Sequence, residues 1–177
     1  QGRDPLPVQT TVAPPKSVGH GKIMPPGTRG REVISMYLEH MSFKVAVRLR
    51  RHRLAAQTLF IGLRNDSGWI GGHYRTETPT DDAKPFMLLC HRMLKEGWRG
   101  EGVHQVQVTA IDPRSNRAQP DMFSRADSKR AALNKVMDAI NDRYGEFAAA
   151  PARLIDRSTA PNVISPAWKP FGPRQTI

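Results

Sequence analysis

Hydrophobic and polar positions along the chain follow two different periods, and the changes of period divide it into elements. Ser17 to Met24 reads as a short strand stopped by Pro25-Pro26-Gly27. From Arg31 to Arg53, apolar residues fall at Ile34, Tyr37, Leu38, Met41, Val45 and Leu49, the spacing of one helical face. This helix is acidic early (Glu32, Glu39) and basic late (Lys44, Arg48, Arg50, Arg51, Arg53), which suits the helix dipole and predicts a solvated C-terminus. Gln57 to Leu63 and Trp69 to Thr76 are two β-like runs joined by the turn-rich Arg64-Asn65-Asp66-Ser67-Gly68. Thr80, Asp81 and Asp82 offer caps for a second helix, and Pro85 favours a start near Asp82. Its stripe is Phe86, Leu89, Cys90, Met93 and Leu94, and Gly97 stops it.

Val103 to Ile111 alternates again, with Val103, Gln105, Gln107, Thr109 and Ile111 on one face against His104, Val106, Val108 and Ala110 on the other. Asp112-Pro113 ends that strand. Asp127 or Ser128 then caps a third helix whose stripe is Leu133, Val136, Met137, Ile140 and Tyr144, ended by Gly145. The stripe predicts core packing or docking onto the domain. The order strand, helix, strand, strand, helix, strand predicts an α+β fold: a split β-α-β (βαββαβ) four-stranded antiparallel sheet with two helices on one face. The other face of the sheet is left open. A C-terminal helix and an irregular Pro-rich tail with Trp168 and Phe171 complete the chain.

Composition adds a partner to this architecture. With 27 Lys and Arg against 16 Asp and Glu, the net charge is +11, which points to a polyanion, foremost nucleic acid. No amphipathic helix with a basic face and aromatic anchors supports a membrane surface instead, and no apolar run approaches spanning length. The lone Cys90 rules out an internal disulfide framework, suits a reducing, cytoplasmic compartment, and sits on an apolar stripe as a small hydrophobe. The 15 prolines cluster at Pro5 to Pro15, Pro25-Pro26 and Pro161 to Pro173. The chain begins inside such a Pro-rich linker and without Met, so it reads as a fragment of a longer protein.

The segment Gln119-Pro120-Asp121-Met122-Phe123 follows the last strand within a polar, Arg-rich loop. Met122 and Phe123 belong to no helical or strand period. An exposed apolar pair beside a hydrogen-bonding amide suits a short docking peptide, in which Met122 and Phe123 fill a pocket and Gln119 fixes the register. The alternative is a local plug, with Phe123 folded back onto the preceding domain.

Three features together carry a resemblance. They are Lys16-Ser17-Val18-Gly19-His20-Gly21-Lys22 at the opening of the βαββαβ pattern, Thr78-Pro79-Thr80-Asp81-Asp82 at the second helix, and the glutamine-led pentapeptide. In this order the chain resembles the little-finger domain of bacterial Y-family (translesion) DNA polymerases over residues 16–123. The resemblance implies residues 1–15 as a linker from a missing catalytic core, 16–113 as a DNA-binding little finger, 114–126 as a clamp-binding region and 127–177 as helix and tail. It implies primer-template DNA and the sliding clamp as partners, a role in translesion synthesis and DNA repair after DNA damage (the SOS response), and a monomeric, nucleoid-associated fragment. The family more often shows leucine where Pro120 stands.

On that basis Lys16, Ser17, Gly19, His20, Gly21, Lys22, Arg64, His73 and Arg75 are the candidate DNA-binding residues, and Gln119, Asp121, Met122 and Phe123 the candidate clamp-binding ones. Glycines at 19 and 21 would let the backbone approach a phosphate, Ser17 would donate to it, and Lys22 would add charge. Alternation puts His73 and Arg75 on one face. No catalytic residue is expected, because the polymerase reaction needs carboxylates holding Mg²⁺ in the palm, outside this fragment. Asp81-Asp82 is explained by capping, and Cys90-His91 lacks a metal-ligand spacing. Two other readings stay open. One is a catalytically silent clamp and DNA adaptor related to these polymerases. The other is a ferredoxin-like interaction module for protein or RNA, although the strands offer mainly Trp69, Tyr74 and Phe60 without an RNA-recognition motif.

Overall fold

In the computed structural model of the protein, residues 15–116 and 128–155 are described. Strand β1 (Val18–Thr28) leads into α1 (Arg31–Arg51), β2 (Leu54–Asn65), β3 (Gly68–Thr80), α2 (Ala83–Glu96), β4 (Val103–Ala110), a two-residue β5 (Arg114–Ser115) and α3 (Ser128–Tyr144). A short 3-10 turn, Ala152–Leu154, follows. The main sheet has the order β1-β4-β2-β3 with every pairing antiparallel, and β5 adds a second short pairing onto the start of β2. β4 thus lies between β1 and β2, and β2 between β4 and β3, which interleaves two split β-α-β units. Among the described residues, no helix is long and apolar enough to cross a membrane.

The strands run further than the turn residues predicted. β1 continues through Pro25-Pro26 to Thr28, because it is an edge strand where a missing amide costs no ladder bond. Its register slips between Ile23 and Thr28 to accommodate them. β3 continues to Thr80 after a similar irregularity opposite Ala56 and Thr58. The bulged stretch is held by the Gln57 amide, which donates to the carbonyls of Thr76 and Glu77 at 3.1 and 2.8 Å. On the β2 side the Asp112 carboxylate accepts from the amides of Gln57 and Thr58. α2 starts where the acidic pair suggests: Asp82 is its N-cap and accepts from the Lys84 amide at 3.2 Å.

The core lies between the sheet and α1–α2, with Leu38, Met41, Leu49, Leu59, Ile61, Phe86, Cys90, Met93, Val106 and Val108 fully buried. The predicted stripe of α1 is all inside. The helix is also buried on its other side, where Glu39, His40, Phe43, Lys44 and Val47 are covered. Part of that cover comes from the turn after α3. Phe147 packs on the rings of His40 and Phe43 at 4.7 and 5.4 Å, and Glu146 pairs with the buried ammonium of Lys44 at 2.8 Å.

α3 itself is held mainly by charged contacts rather than by its hydrophobic stripe. Asp138 receives a two-point contact from the Arg50 guanidinium at 2.6 and 2.8 Å, and Arg51 pairs with Asp142. Arg130 forks onto Asp82 at 2.5 and 2.8 Å, and Asn134 joins it. Leu133, Val136 and Tyr144 are therefore 51, 56 and 69% exposed, and of the predicted stripe Met137 packs against the core. The expectation that the stripe packs in the core or docks onto the domain is corrected for Leu133, Val136 and Tyr144: two Arg–carboxylate forks and the Arg51–Asp142 pair hold the helix by its polar side instead. The same contacts correct the reading of a solvated α1 terminus. Arg50 and Arg51 serve α3, and Arg48 donates to the Gly19 carbonyl at 2.8 Å.

Asp82 joins both devices, since it caps α2 and anchors α3. Burial alone would raise its carboxyl, but the hydrogen bonds from Arg130 and the Lys84 amide outweigh that and hold it below the usual carboxylate range. Asp82→Ala should lower stability by about 2 kcal/mol, combining a lost cap with a lost charge-assisted pair. Urea unfolding reads this directly, and a loss below about 0.5 kcal/mol, the range of an ordinary surface change, would contradict the double role.

Candidate nucleic-acid interface

Which side chains face away from the helices follows from the register. Across the four strands, Gly19, Thr109, Phe60 and His73 form one row; Gly21, Gln107, Gly62 and Gly71 the next; Ile23, Gln105, Arg64 and Trp69 a third. The intervening rows face the helices: Val18, Ala110, Leu59 and Tyr74, then His20, Val108, Ile61 and Gly72, then Lys22, Val106, Leu63 and Ile70. No described element covers the first set, and Arg64, Trp69, His73 and Arg75 are all exposed.

The surface has two halves. On β1 and β4 it is flat and, apart from the exposed Ile23, polar, with Gln107 donating to the Thr109 hydroxyl at 2.7 Å over the glycines of β1. On β2 and β3 it carries rings. Phe60 meets Trp69 edge to face, with centroids 5.6 Å apart at 78°, and His73 at 5.9 Å and 66°. The Arg64 guanidinium lies 5.8 Å from the Trp69 ring centre. Gly62 is what lets the two large rings meet, because a Cβ there would sit 2.9 Å from both. Opposite it, Gly71 adopts a φ of +131°, closed to other residues, and a side chain would strike the Ile61 carbonyl.

Of the nine candidate DNA-binding residues, the structure gathers Gly19, Gly21, Arg64 and His73 on this open face and Arg75 beside them, opposite Thr58. Lys16 and Ser17 are exposed just ahead of β1. Alternation turns the His20 and Lys22 side chains toward the helices. His20 is 6% exposed, and burial, followed by the charges of Lys44, Arg48 and Lys22, holds its imidazole near a pKa of about 3. It is neutral at physiological pH and its side chain is out of reach of a ligand on the open face. Lys22 is half-buried at the sheet edge, where desolvation lowers its pKa against the pull of Glu146. The four clamp-binding candidates, Gln119, Asp121, Met122 and Phe123, lie outside the described residues.

Reasoning from sequence passed over Phe60, Gln105, Gln107 and Thr109, which share this face. The signal was present: in β4 the strongly apolar Val106 and Val108 claim the core, so their neighbours must point out. Cys90 is fully buried beside Ser42, and burial pushes its thiol up to about 12, so it is an inert core residue. Among the described residues, no three His, Cys, Asp or Glu side chains are grouped to hold a metal ion. Asp81 accepts from Asn116 and Asp82 is committed to Arg130, so neither fits a Mg²⁺ site.

Residues 15–122 match the impB/mucB/samB family C-terminal domain. A DNA polymerase IV from Moorella thermoacetica is 32% identical over 151 residues, which cover 82% of this chain and 35% of the relative. A putative UV-damage repair protein, UvrX, from Bacillus subtilis is 29% identical over 126 residues, or 68% of this chain and 30% of that one. The chain therefore spans about a third of the length of these curated relatives. A solved complex of the beta-clamp processivity factor and the little finger domain of PolIV is similar with a TM-score of 0.46 at 17% identity, covering 61% of this chain and 99% of that one.

The buried His20 sets a pH dependence. Unfolded, it takes up a proton near 6.5; folded, it resists protonation until about 3. Between those values the unfolded chain binds more protons, so stability falls as pH falls below about 6.5. From pH 7 to pH 5 this one group removes roughly 2 kcal/mol. In urea titrations His20→Gln should flatten that decline, and slopes equal to those of the parent would assign the acid sensitivity elsewhere.

Proposed function

Because the chain belongs to the impB/mucB/samB family through its C-terminal domain, we propose that it is the DNA-gripping and clamp-docking module of a Y-family translesion polymerase. The observation that carries this reading is the uncovered sheet face, where Arg64, His73 and Arg75 stand exposed beside the flat, glycine-lined half. Short polar side chains and glycines permit a sugar-phosphate backbone to approach closely, and the guanidiniums supply charge without selecting a base. The module does no chemistry in this reading. It holds a parent enzyme, whose palm carries the Mg²⁺-dependent nucleotidyl transfer, on primer-template duplex. The neutral, buried His20 and the α1 cations support the sheet from behind rather than touch DNA.

The peptide Gln119-Pro120-Asp121-Met122-Phe123 provides a second, weak tether to a sliding clamp. Two weak tethers in one chain raise avidity by roughly 10²–10⁴ without a new contact. Met122 and Phe123 would supply most of its energy, at about 1.5–3 kcal/mol for each buried side chain, and Gln119 and Asp121 the register.

Fluorescence anisotropy with labelled duplex should show binding nearly independent of sequence and steeply weakened by salt. Arg64→Ala with Arg75→Ala should weaken all sequences alike and reduce the log–log salt slope by about 2. An unchanged slope, or strong sequence preference, would overturn the grip on the backbone.

Clamp binding separates from this. Met122→Ala with Phe123→Ala should abolish clamp binding while leaving duplex affinity and the melting temperature nearly unchanged. A double variant that melts much earlier would place the pair in the domain's own core.

A further inference from the structure

A backbone grip leaves the aromatic half of the open face unexplained. Trp69 is 44% exposed, in a perpendicular contact with Phe60, which in turn meets His73 the same way. The perpendicular contact engages only the edge of one ring and one face of the other, so ring surface is left free of the pair. The sheet also goes to some length to assemble these rings: Gly62 clears the space between Phe60 and Trp69, and the left-handed Gly71 clears the neighbouring position on β3. A cross-strand pair by itself explains only a small gain for the β2–β3 hairpin. It does not explain why the largest ring is left in water with the Arg64 guanidinium over its face.

We propose that Trp69, Phe60 and His73 form a stacking site for unpaired bases of single-stranded DNA, with Arg64 and Arg75 on the flanking phosphates. Bases present an apolar π-face whatever their identity, so an exposed ring flanked by cations holds a single strand with little sequence preference. The face carries Arg64 and Arg75; of the acids near it, Asp112 is already engaged by Thr58 and Arg114, and Asp66 at the hairpin turn lies 3.7 Å from His104. Arg64 moves from the ring to a phosphate while a base takes its place over Trp69. This site lies on the face assigned above to duplex backbone and rests on that assignment. It adds to it a preference for junctions, where duplex gives way to an unpaired strand.

The test compares three ligands of matched length on the 177-residue chain: oligo(dT), an abasic single strand with the same phosphates, and duplex. Oligo(dT) should bind at least about tenfold more tightly than the abasic strand. Trp69→Ala should erase that difference while leaving the salt slope for duplex unchanged. In a Trp168→Phe background the remaining tryptophans are Trp69 and Trp98, which is 7% exposed. There oligo(dT) should quench the emission and the abasic strand should not. Equal affinity for oligo(dT) and the abasic strand in the parent chain overturns the stacking site, with no variant needed. So does discrimination that survives Trp69→Ala. Loss of salt-dependent duplex binding with dT discrimination intact would instead remove the backbone grip and leave the stacking site standing.

Discussion

β4 is paired on both sides, and that double pairing ties together the parity of the whole sheet. Val106 and Val108 face the helices between Lys22 and Leu63 on one row and His20 and Ile61 on the next. A slip of β4 by one residue would expel both valines and Ala110 and drive Gln105, Gln107 and Thr109 into an apolar layer. Each fully buried apolar side chain is worth about 1.5–3 kcal/mol, and each stranded amide costs a further penalty, so no such slip is accessible. The open face is thus a by-product of the core. Its glycines, amides, rings and guanidiniums sit where they do because their sequence neighbours are Val, Leu and Ile.

The second organising device is ionic. α1 ends in a run of cations, and three of them point toward the rest of the domain rather than away from it: Arg48 to the carbonyl of Gly19, Arg50 to Asp138, Arg51 to Asp142. Lys44, one turn earlier, is buried against Glu146. Burial lowers the pKa of Lys44, and Glu146 opposes that shift by its hydrogen bond and its charge. Acidic residues 138–146 therefore neutralise much of one flank.

What could be read from sequence follows the range of the forces involved. The six-element order, the cap at Asp82, the stop at Gly97, the buried Cys90 and the pairing of His73 with Arg75 all rest on periodicity or local backbone chemistry, and all stand in the structure. Gly19 and Gly21 were legible for the same reason. The orientation of His20 and Lys22 was not legible, because a polar residue in a strand carries no mark of its face; only pairing with Val108 and Val106 decides it. α3 was misoriented because its stripe of Leu133, Val136 and Tyr144 is a genuine helical period. Its partners lie 48 to 91 residues away in sequence, beyond any local pattern. The aromatic half of the open face was similarly split, with Phe60 and Trp69 brought together by register and Tyr74 sent to the other side.

The manner in which α3 is held gives the domain two different solvent thermodynamics. The sheet and α1–α2 bury hydrocarbon, so their unfolding carries a large heat-capacity change and a steep dependence on urea. α3 itself removes few apolar atoms from water and keeps most of its stripe outside. Its release should therefore be nearly athermal in heat capacity and shallow in urea, yet steep in ionic strength, since Arg–carboxylate forks at partly exposed positions are screened. Amide exchange would then show the helix opening as a separate, low-energy unit while the sheet stays closed.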